Sequence, residues 1–408
     1  MTGPFASWGP ADRAGLEPLP GGATAADGFR AGGVSSGVKA SGRPDLALLA
    51  ADQPVGVAAL TTTNLVKAPS CTWTDRVAAR GTARAVVINA GNANVCTPAA
   101  EEHTHRLATG AARHLGIEPD EVLVMSTGVI GEPLPIERIE AAMPAVVADL
   151  TADGGDRAAT AMLTTDTVTK QVAYRVSDDQ GTCTVGGMAK GVGMIEPNMA
   201  TLLVVLTTDA PLGGPLARSV LQQAVGTTFN RISVDGDRST SDTVALLASG
   251  TVAAPPGPAA LTRAVHAVCA DLALAVVRDG EGASRVAAVT VAGAATEPDA
   301  EALARAVATS LLVRAAVHGA DPNWGRVLMA LGNAGVPVDP RRVSVACNGI
   351  TVCRFGVATA FDRGQAAAAM SRPEVELHVE VGSGRSTATV LTCDLTEDYV
   401  TFNAEYTT

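Results

Sequence analysis

The chain has 408 residues, 47% of them hydrophobic, enough to bury a substantial core in two or three domains or in one large domain with an appendage. Its formal charge of −11 excludes the basic footprint that a nucleic acid or an anionic membrane surface requires, and leaves small solutes as the expected partners. Seven cysteines, an odd total with no C-x-x-C, exclude a disulfide framework and a zinc ribbon and are expected as buried thiols of a reducing cytoplasm.

Residues 1–27 are rich in proline and glycine but lack a basic start followed by an apolar core, so a mobile tail is expected and not a signal peptide. In Gly33–Gly37, GVSSG places Ser35 in a G-x-S-x-G pattern, and SGVK at Ser36–Lys39 satisfies S-x-x-K. The preceding ADGFRAG is not an apolar strand, and the partner motifs of the S-x-x-K class are missing from the sequence. The same stretch misses a P-loop, because Lys39 comes one place late and Ala40 stands where a hydroxyl is needed.

Further along, Ala83–Ala90 and Glu121–Ser126 read as buried strands, and Ala99–Gly116 and Ile136–Leu150 as helices with apolar positions three and four apart. His103 and His105, two apart on the first helix, point to different faces and do not make a metal pair. Thr201–Thr208 predicts another buried strand and Pro258–Gly280 a helix. His318 lies in VHGADPNWGR, a polar, glycine-bearing stretch that reads as a structural turn or a site wall, the turn being the preferred reading. GSG between two alternating runs predicts a hairpin over Glu374–Thr396. The pattern is that of an α/β or α+β sandwich, without a run of about eighteen uncharged apolar residues that would suggest a membrane span.

The segment with the most chemistry is KGVGMIEPNMAT, Lys190–Thr201, which ends on a hydroxyl residue at the mouth of the Thr201–Thr208 strand. A plain loop feeding a core strand explains it. So does self-cleavage, because a threonine hydroxyl becomes a useful nucleophile when an amine takes its proton. Its own α-amine, freed by a cut before it, titrates near about 7.7–8.0 and can act as a base at neutral pH. Lysine is scarce: Lys39, Lys67, Lys170 and Lys190 are four of the 30 basic residues.

At these residues the chain resembles the ornithine acetyltransferases, also called glutamate N-acetyltransferases, whose precursor cuts itself before a threonine in a K-G-x-G-M-x-x-P-x-x-A-T segment. The resemblance runs from about Gly28 to Thr408 through GFRAGGVSSGVKASGRPDLAL, NAGNANVCT, STGVIGEPLP, MLTTDTVTK, SVDGDRSTSDT, DGEGA, VHGADPNWGR and FNAEYTT. It makes the Ser35 region an early strand and turn. It implies Thr201 as nucleophile and Ala200–Thr201 as the cleaved bond, giving an α chain of residues 1–200 (28–200 after the tail) and a β chain of 201–408 with a C-terminal subdomain from about residue 285. It further implies an oxyanion hole at Thr127 and Gly128 and substrate contacts at Lys190, Glu281, Asn403, Thr408 and either Thr164 or Thr165. Such types suit an amino-acid substrate, with lysine facing a carboxylate and glutamate an ammonium.

The implied fold is an N-terminal-nucleophile-like α/β sandwich with a smaller C-terminal α/β domain. The implied reaction is ping-pong transfer of acetyl from N-acetylornithine to glutamate through acetyl-Thr201, in a cytoplasmic α2β2 or larger assembly, with no metal or bound cofactor. Alternatives are a bifunctional enzyme that also uses acetyl-CoA, a self-processing aminopeptidase or amidase in which water resolves the acyl-enzyme, and a metabolite-binding relative that never cuts. Glu196, Arg238 and Ser241 depart from the family pattern. Glu196 points toward acetyl recycling only, since a carboxylate near the entrance repels the phosphates of acetyl-CoA.

Overall fold

The computed structural model describes residues 5, 8–9, 13–196 and 202–405. Thr201, Ala200 and Thr408 therefore lie outside the described residues. The chain divides into two compact units, the larger built from residues 12–230 and 237–276 and the smaller from 231–236 and 277–407 with the first eleven. The smaller unit thus begins at Val277 and takes in an excursion at 231–236, where the sequence suggested a single boundary near 285.

Among the described residues the larger unit holds a nine-stranded sheet. In chain order its strands are β1 (Leu16–Leu19), β2 (Phe29–Val34), β3 (Leu46–Thr61), β4 (Thr82–Asn92), β5 (Val122–Val129), β6 (Lys170–Ser177), β7 (Thr182–Lys190), β8 (Leu203–Thr208) and, after β9 (Ile232–Ser233) of the other unit, β10 (Thr243–Ala248). They lie side by side as β1-β6-β7-β8-β10-β3-β4-β5, with β2 paired to β3. Helices α1 (Pro69–Ala78), α2 (Ala100–Leu115), α3 (Ile136–Ala148), α4 (Gly155–Ala161), α5 (Gly214–Thr227) and α6 (Pro258–Arg278) lie between or after runs of these strands in the chain. Because helices cover both faces, the strands are continuous apolar runs whose alternate residues feed two cores. Leu46, Leu48 and Ala50 of β3 join Val87 and Val124 against Leu107 and Ala111 of α2 and Ile139 and Met143 of α3. Ala47 and Leu49 face the other way, with Ile88, Met125, Met188, Leu203 and Val205 against Ala158 and Ala159 of α4. Each leucine so buried contributes about 2 kcal/mol.

The smaller unit is a second sheet, ordered β14-β13-β12-β15-β11-β16-β9. Its strands are β9 (Ile232–Ser233), β11 (Val286–Ala294), β12 (Ser344–Cys347), β13 (Ile350–Arg354), β14 (Val357–Ala358), β15 (Glu374–Glu380) and β16 (Ser386–Cys393). Its helices are α7 (Glu297–Ala308), α8 (Leu311–His318), α9 (Trp324–Gly332), α10 (Arg363–Met370) and α11 (Glu397–Glu405).

Several expectations are corrected. Glu374–Thr396 is not a hairpin, because β11 lies between its two strands, parallel to β15 and antiparallel to β16. GSG turns the chain over the end of β11, where the Ser383 and Gly384 amides donate to the Gly293 carbonyl at 2.6 Å. Residues 1–27 are not all tail: β1 pairs with β6 from Leu16↔Val176 to Leu19↔Ala173, and Arg13 grips Asp271 through two bonds of 2.8 and 2.9 Å. The glycines there serve turns, Gly15 and Gly21 having φ of +73° and +100°. Cys96 is exposed, unlike the other cysteines, all of which are buried free thiols. A strand, β2, does precede Ser35, but no helix follows it, so the nucleophile elbow fails on its second half. α6 is long and apolar enough to cross a membrane, yet 72% of that stretch is buried within the protein, as in a core helix.

Candidate active site

β7 is buried from Cys183 to its last residue, Lys190, and β8 starts directly across from it, Lys190 pairing with Leu203. Residues 191–202 are therefore the connection between two adjacent antiparallel strands inside the sheet. Gly191 and Met194 both have positive φ, 154° and 56°, and a methionine in the left-handed region costs on the order of 1 kcal/mol.

Lys190 is 2% exposed, and its Nζ reaches the Thr127 hydroxyl at 3.4 Å. Thr127, itself buried, stands near the end of β5 beside Gly128. Gly128 has φ of +131°, and a Cβ there would lie 2.3 Å from the Gly91 carbonyl carbon of β4, so only glycine fits this close approach of two strands. The sequence-derived pair Thr127 and Gly128 thus sits with Lys190, at the end of the strand that precedes the 191–202 connection.

Asp166 holds this corner together. Its Oδ1 accepts from Lys170 Nζ at 2.7 Å and from the Gly191 amide at 2.8 Å, while its Oδ2 accepts from the Thr164 amide at 3.0 Å. One carboxylate so joins the TTDT turn to both ends of the β6–β7 hairpin. The Asp166–Lys170 pair is fully buried. Burial by itself pushes the Asp166 carboxyl up, but the charges of Lys190 and Lys170 and these hydrogen bonds outweigh it and hold the group at about 2. Lys39, from the SGVK stretch, donates to the Pro44 carbonyl at 2.6 Å and feels both Lys190 and Asp166; burial lowers its ammonium to about 8. Thr164 is committed to Asp166, and Thr165 is half-buried beside it.

Asp242, immediately before β10, is fully buried and accepts the Leu202 amide at 2.8 Å. Burial drives its carboxyl well above the ordinary range, against the Leu202 amide, Thr62, Lys190 and Arg238, all of which favour the charged form. Asp166, Lys170 and Asp242 were not singled out from the sequence. The available signal was the scarcity of lysine, together with an Asp and a Lys four apart in TTDTVTK.

In the smaller unit, the Asn403 amide donates to Glu281 at 3.1 Å. Asp394 fixes the turn that carries Glu281, accepting from the amides of Ser284 and Arg285 at 2.8 and 2.9 Å, from the Ser284 hydroxyl and from His318 Nδ1 at 2.9 Å. Burial raises the Asp394 carboxyl, but these donors outweigh it and keep it below the usual range. Here Ser284 bonds the aspartate and not the histidine, so the trio is a turn anchor and not a nucleophile relay. His318 ends α8 and is held by Asp394, beside the turn that carries Glu281.

A cavity of about 690 Å³ in the larger unit, of metabolite size, is lined by Thr61–Asn64, Lys67, Asp75, Arg218 and Gln222 among others. It contains none of the sequence-derived site residues, and Lys67 in its wall is paired with Asp75 at 2.6 Å.

The chain matches the ArgJ family over residues 30–408. The arginine biosynthesis bifunctional protein ArgJ of Gloeobacter violaceus is 46% identical over 403 residues, spanning 96% of this chain and 99% of that one. The protein of the same name from Mycobacterium tuberculosis is 45% identical, over 94% of this chain and 96% of its own length. Among solved structures, the ornithine acetyltransferase of Mycobacterium tuberculosis, complexed with ornithine, is 44% identical with a TM-score of 0.42, over 45% of this chain and 98% of that chain. With the family pattern running through both units at this level of identity, the chain belongs to the ArgJ family of acyltransferase enzymes.

Proposed function

We propose that this enzyme cuts itself between Ala200 and Thr201, and that Thr201 then carries acetyl from N-acetylornithine to glutamate in a ping-pong cycle. The observation that carries the reading is the meeting of Lys190, Thr127 and Asp166 where β7 gives way to the 191–202 connection. A cut there leaves the new threonine amine one residue before Leu202, whose own amide is held by Asp242. The freed amine takes the hydroxyl proton, the hydroxyl oxygen attacks the acetyl carbonyl, and ornithine leaves with that proton. Glutamate's amine then attacks the threonine ester and takes the acetyl group away.

Thr127 and Gly128 serve the tetrahedral oxygen in both half-reactions, where one aimed donor is worth about 3 kcal/mol. Lys190 faces the substrate carboxylate, with Asp166 fixing the turn beside it. Glu281, Asn403, Thr408 and one of Thr164 and Thr165 are proposed substrate contacts on the resemblance alone. The α and β chains stay associated as α2β2 or a larger assembly, which sedimentation of the purified enzyme tests.

The experiment is mass spectrometry of denatured protein. Two fragments are expected, the second starting Thr-Leu-Leu-Val-Val, which gains one acetyl group from N-acetylornithine and loses it to glutamate. Thr201→Ala should remain one uncut chain. Active enzyme consisting of uncut chain, or acetyl carried elsewhere, would overturn the reading. The relatives' shared name, bifunctional, favours a second reading in which acetyl-CoA is also a donor, against the repulsion expected from Glu196. Labelling the β chain from each donor in parallel separates the two.

A further inference from the structure

Resting on the oxyanion role proposed for Thr127 and Gly128, we propose that Asn89 is the residue that positions that pair, working through Ser126 on one strand and the Asn92 carbonyl on the other. β4 and β5 run parallel in regular register from Ala85↔Val122 to Asn89↔Ser126 and on to Gly91↔Gly128. There the ladder slips, Asn92 facing both Thr127 and Val129. Asn89 spans the slip. The Ser126 hydroxyl donates to Asn89 Oδ1 at 2.7 Å, and Asn89 Nδ2 donates to the Asn92 carbonyl at 2.8 Å. Its two bonds therefore land on the residue just before Thr127 and on the residue just after Gly91, the glycine whose backbone leaves no room for a side chain at position 128.

Asn92 carries the grip to the far end of the turn. Its Nδ2 donates to the Glu132 carbonyl at 3.0 Å, its Oδ1 accepts from the Asn94 amide at 2.8 Å, and the Ala93 amide donates to the Val129 carbonyl at 2.9 Å. Residues 127–131 are thus tied at both ends, at Ser126 and at Glu132, to two asparagines of β4 that are bonded to each other.

Packing alone does not call for this pair. Asn89 follows Ala85 and Val87 along the face of β4 that meets α2 and α3, and Ser126 follows Val122 and Val124 along β5. Asn89 and Ser126 are 1% and 0% exposed. A leucine beside an alanine would fill so apolar a face without the cost of desolvating an amide and a hydroxyl. The polar pair supplies what an apolar pair cannot, directional bonds that fix a backbone. Thr127, the next residue, points to the opposite face, where its hydroxyl meets Lys190 at 3.4 Å. Asn89 therefore acts from behind the sheet, through the backbone of its neighbours.

Asn89→Leu keeps the volume and removes both bonds. The turnover of N-acetylornithine with glutamate, referred to the fraction of chain that is cut, should fall about 10- to 100-fold with KM changed by less than about threefold, because a displaced oxyanion donor is missed mainly in the transition state. The same substitution made in Thr127→Ala should cost no more than about a further threefold, since the contact it positions is already gone. A kcat within about threefold of the unaltered enzyme, a KM that rises in step with the fall in kcat, or losses that multiply in the double variant would each overturn the assignment. Where Asn89→Leu fails to fold or to cut, Ser126→Ala, which takes away a single hydroxyl, decides by the same readings. A Thr127→Ala enzyme with full kcat sinks the oxyanion reading and this inference with it, and that outcome is seen in the single variant, apart from any result on Asn89.

Discussion

Replacing Asp166 by asparagine puts the buried charge cluster to a quantitative test. The carboxylate accepts from Lys170, Gly191 and Thr164, and lies between two buried lysines. Holding its carboxyl at about 2, against an ordinary 3.8, corresponds to about 2.5 kcal/mol at about 1.4 kcal/mol per unit. Stranding the buried Lys170 ammonium costs about 3–5 kcal/mol by the general behaviour of broken buried pairs. About 3 kcal/mol is therefore expected, which in a unit of this size lowers the melting temperature by about 6 °C. Because the folded-state carboxyl is depressed, its contribution is present above pH about 3.8 and fades as the pH falls toward 2. The gap between wild type and Asp166→Asn, measured by calorimetry, should accordingly narrow over that window. Adding Lys170→Met removes the stranded charge and should restore at least about 1 kcal/mol. A variant melting within 1 °C of wild type at pH 7, or a gap unchanged between pH 6 and pH 3, would show that the cluster is not the paired, desolvated arrangement described here.

Thr127→Ala should lower kcat by about 10² with KM nearly unchanged, since an oxyanion contact forms mainly in the transition state; a matching loss in substrate affinity would make it a ground-state contact. Gly128→Ala should destabilise the larger unit by more than about 3 kcal/mol in urea melts, because its Cβ would strike the β4 backbone at 2.3 Å and its φ is +131°; a neutral result would remove the steric reason for glycine. Glu281→Gln should raise KM for N-acetylornithine about tenfold and leave the melting temperature in place, its bond to Asn403 being exposed. Unchanged KM would withdraw Glu281 from the substrate.

Strands and helices with strong local signals were legible in the sequence. Ala99–Gly116 forms α2 within a residue at each end, closed by Gly116 in the left-handed conformation, as a glycine after a helix should be. What the sequence concealed was pairing at a distance. GSG marks a turn between β15 and β16, but nothing local says that β11, some eighty residues earlier, will slot between them. The site divides in the same way. Lys190, Thr127 and Gly128 could be named because they sit in motif segments, whereas Asp166 and Asp242 matter through burial and through backbone amides far along the chain. A carboxylate in a turn segment reads as a solvated charge until the fold covers it.

The sheet order is also compatible with the cut proposed for this enzyme. Strands β1 to β7 precede Ala200, while β8 and β10 follow it, yet β8 and β10 lie between β7 and β3. The β-chain strands are thus held on both sides by α-chain strands, through the β7–β8 ladder from Val185↔Thr208 to Lys190↔Leu203 and the β10–β3 ladder from Thr243↔Thr61 to Ala248↔Gly56. Opening a loop of about a dozen residues gives up only about 2 kcal/mol of closure entropy. Separating the chains would instead tear two ladders in the middle of the sheet and bare the core around Leu203, Val205, Ala245 and Leu247. The proposed cut would therefore be cheap because it falls in a connection, and the two chains would stay joined because the connection sits in the interior of one sheet. Lys190 and the residues after Thr201 remain neighbours by strand register, with no covalent link required.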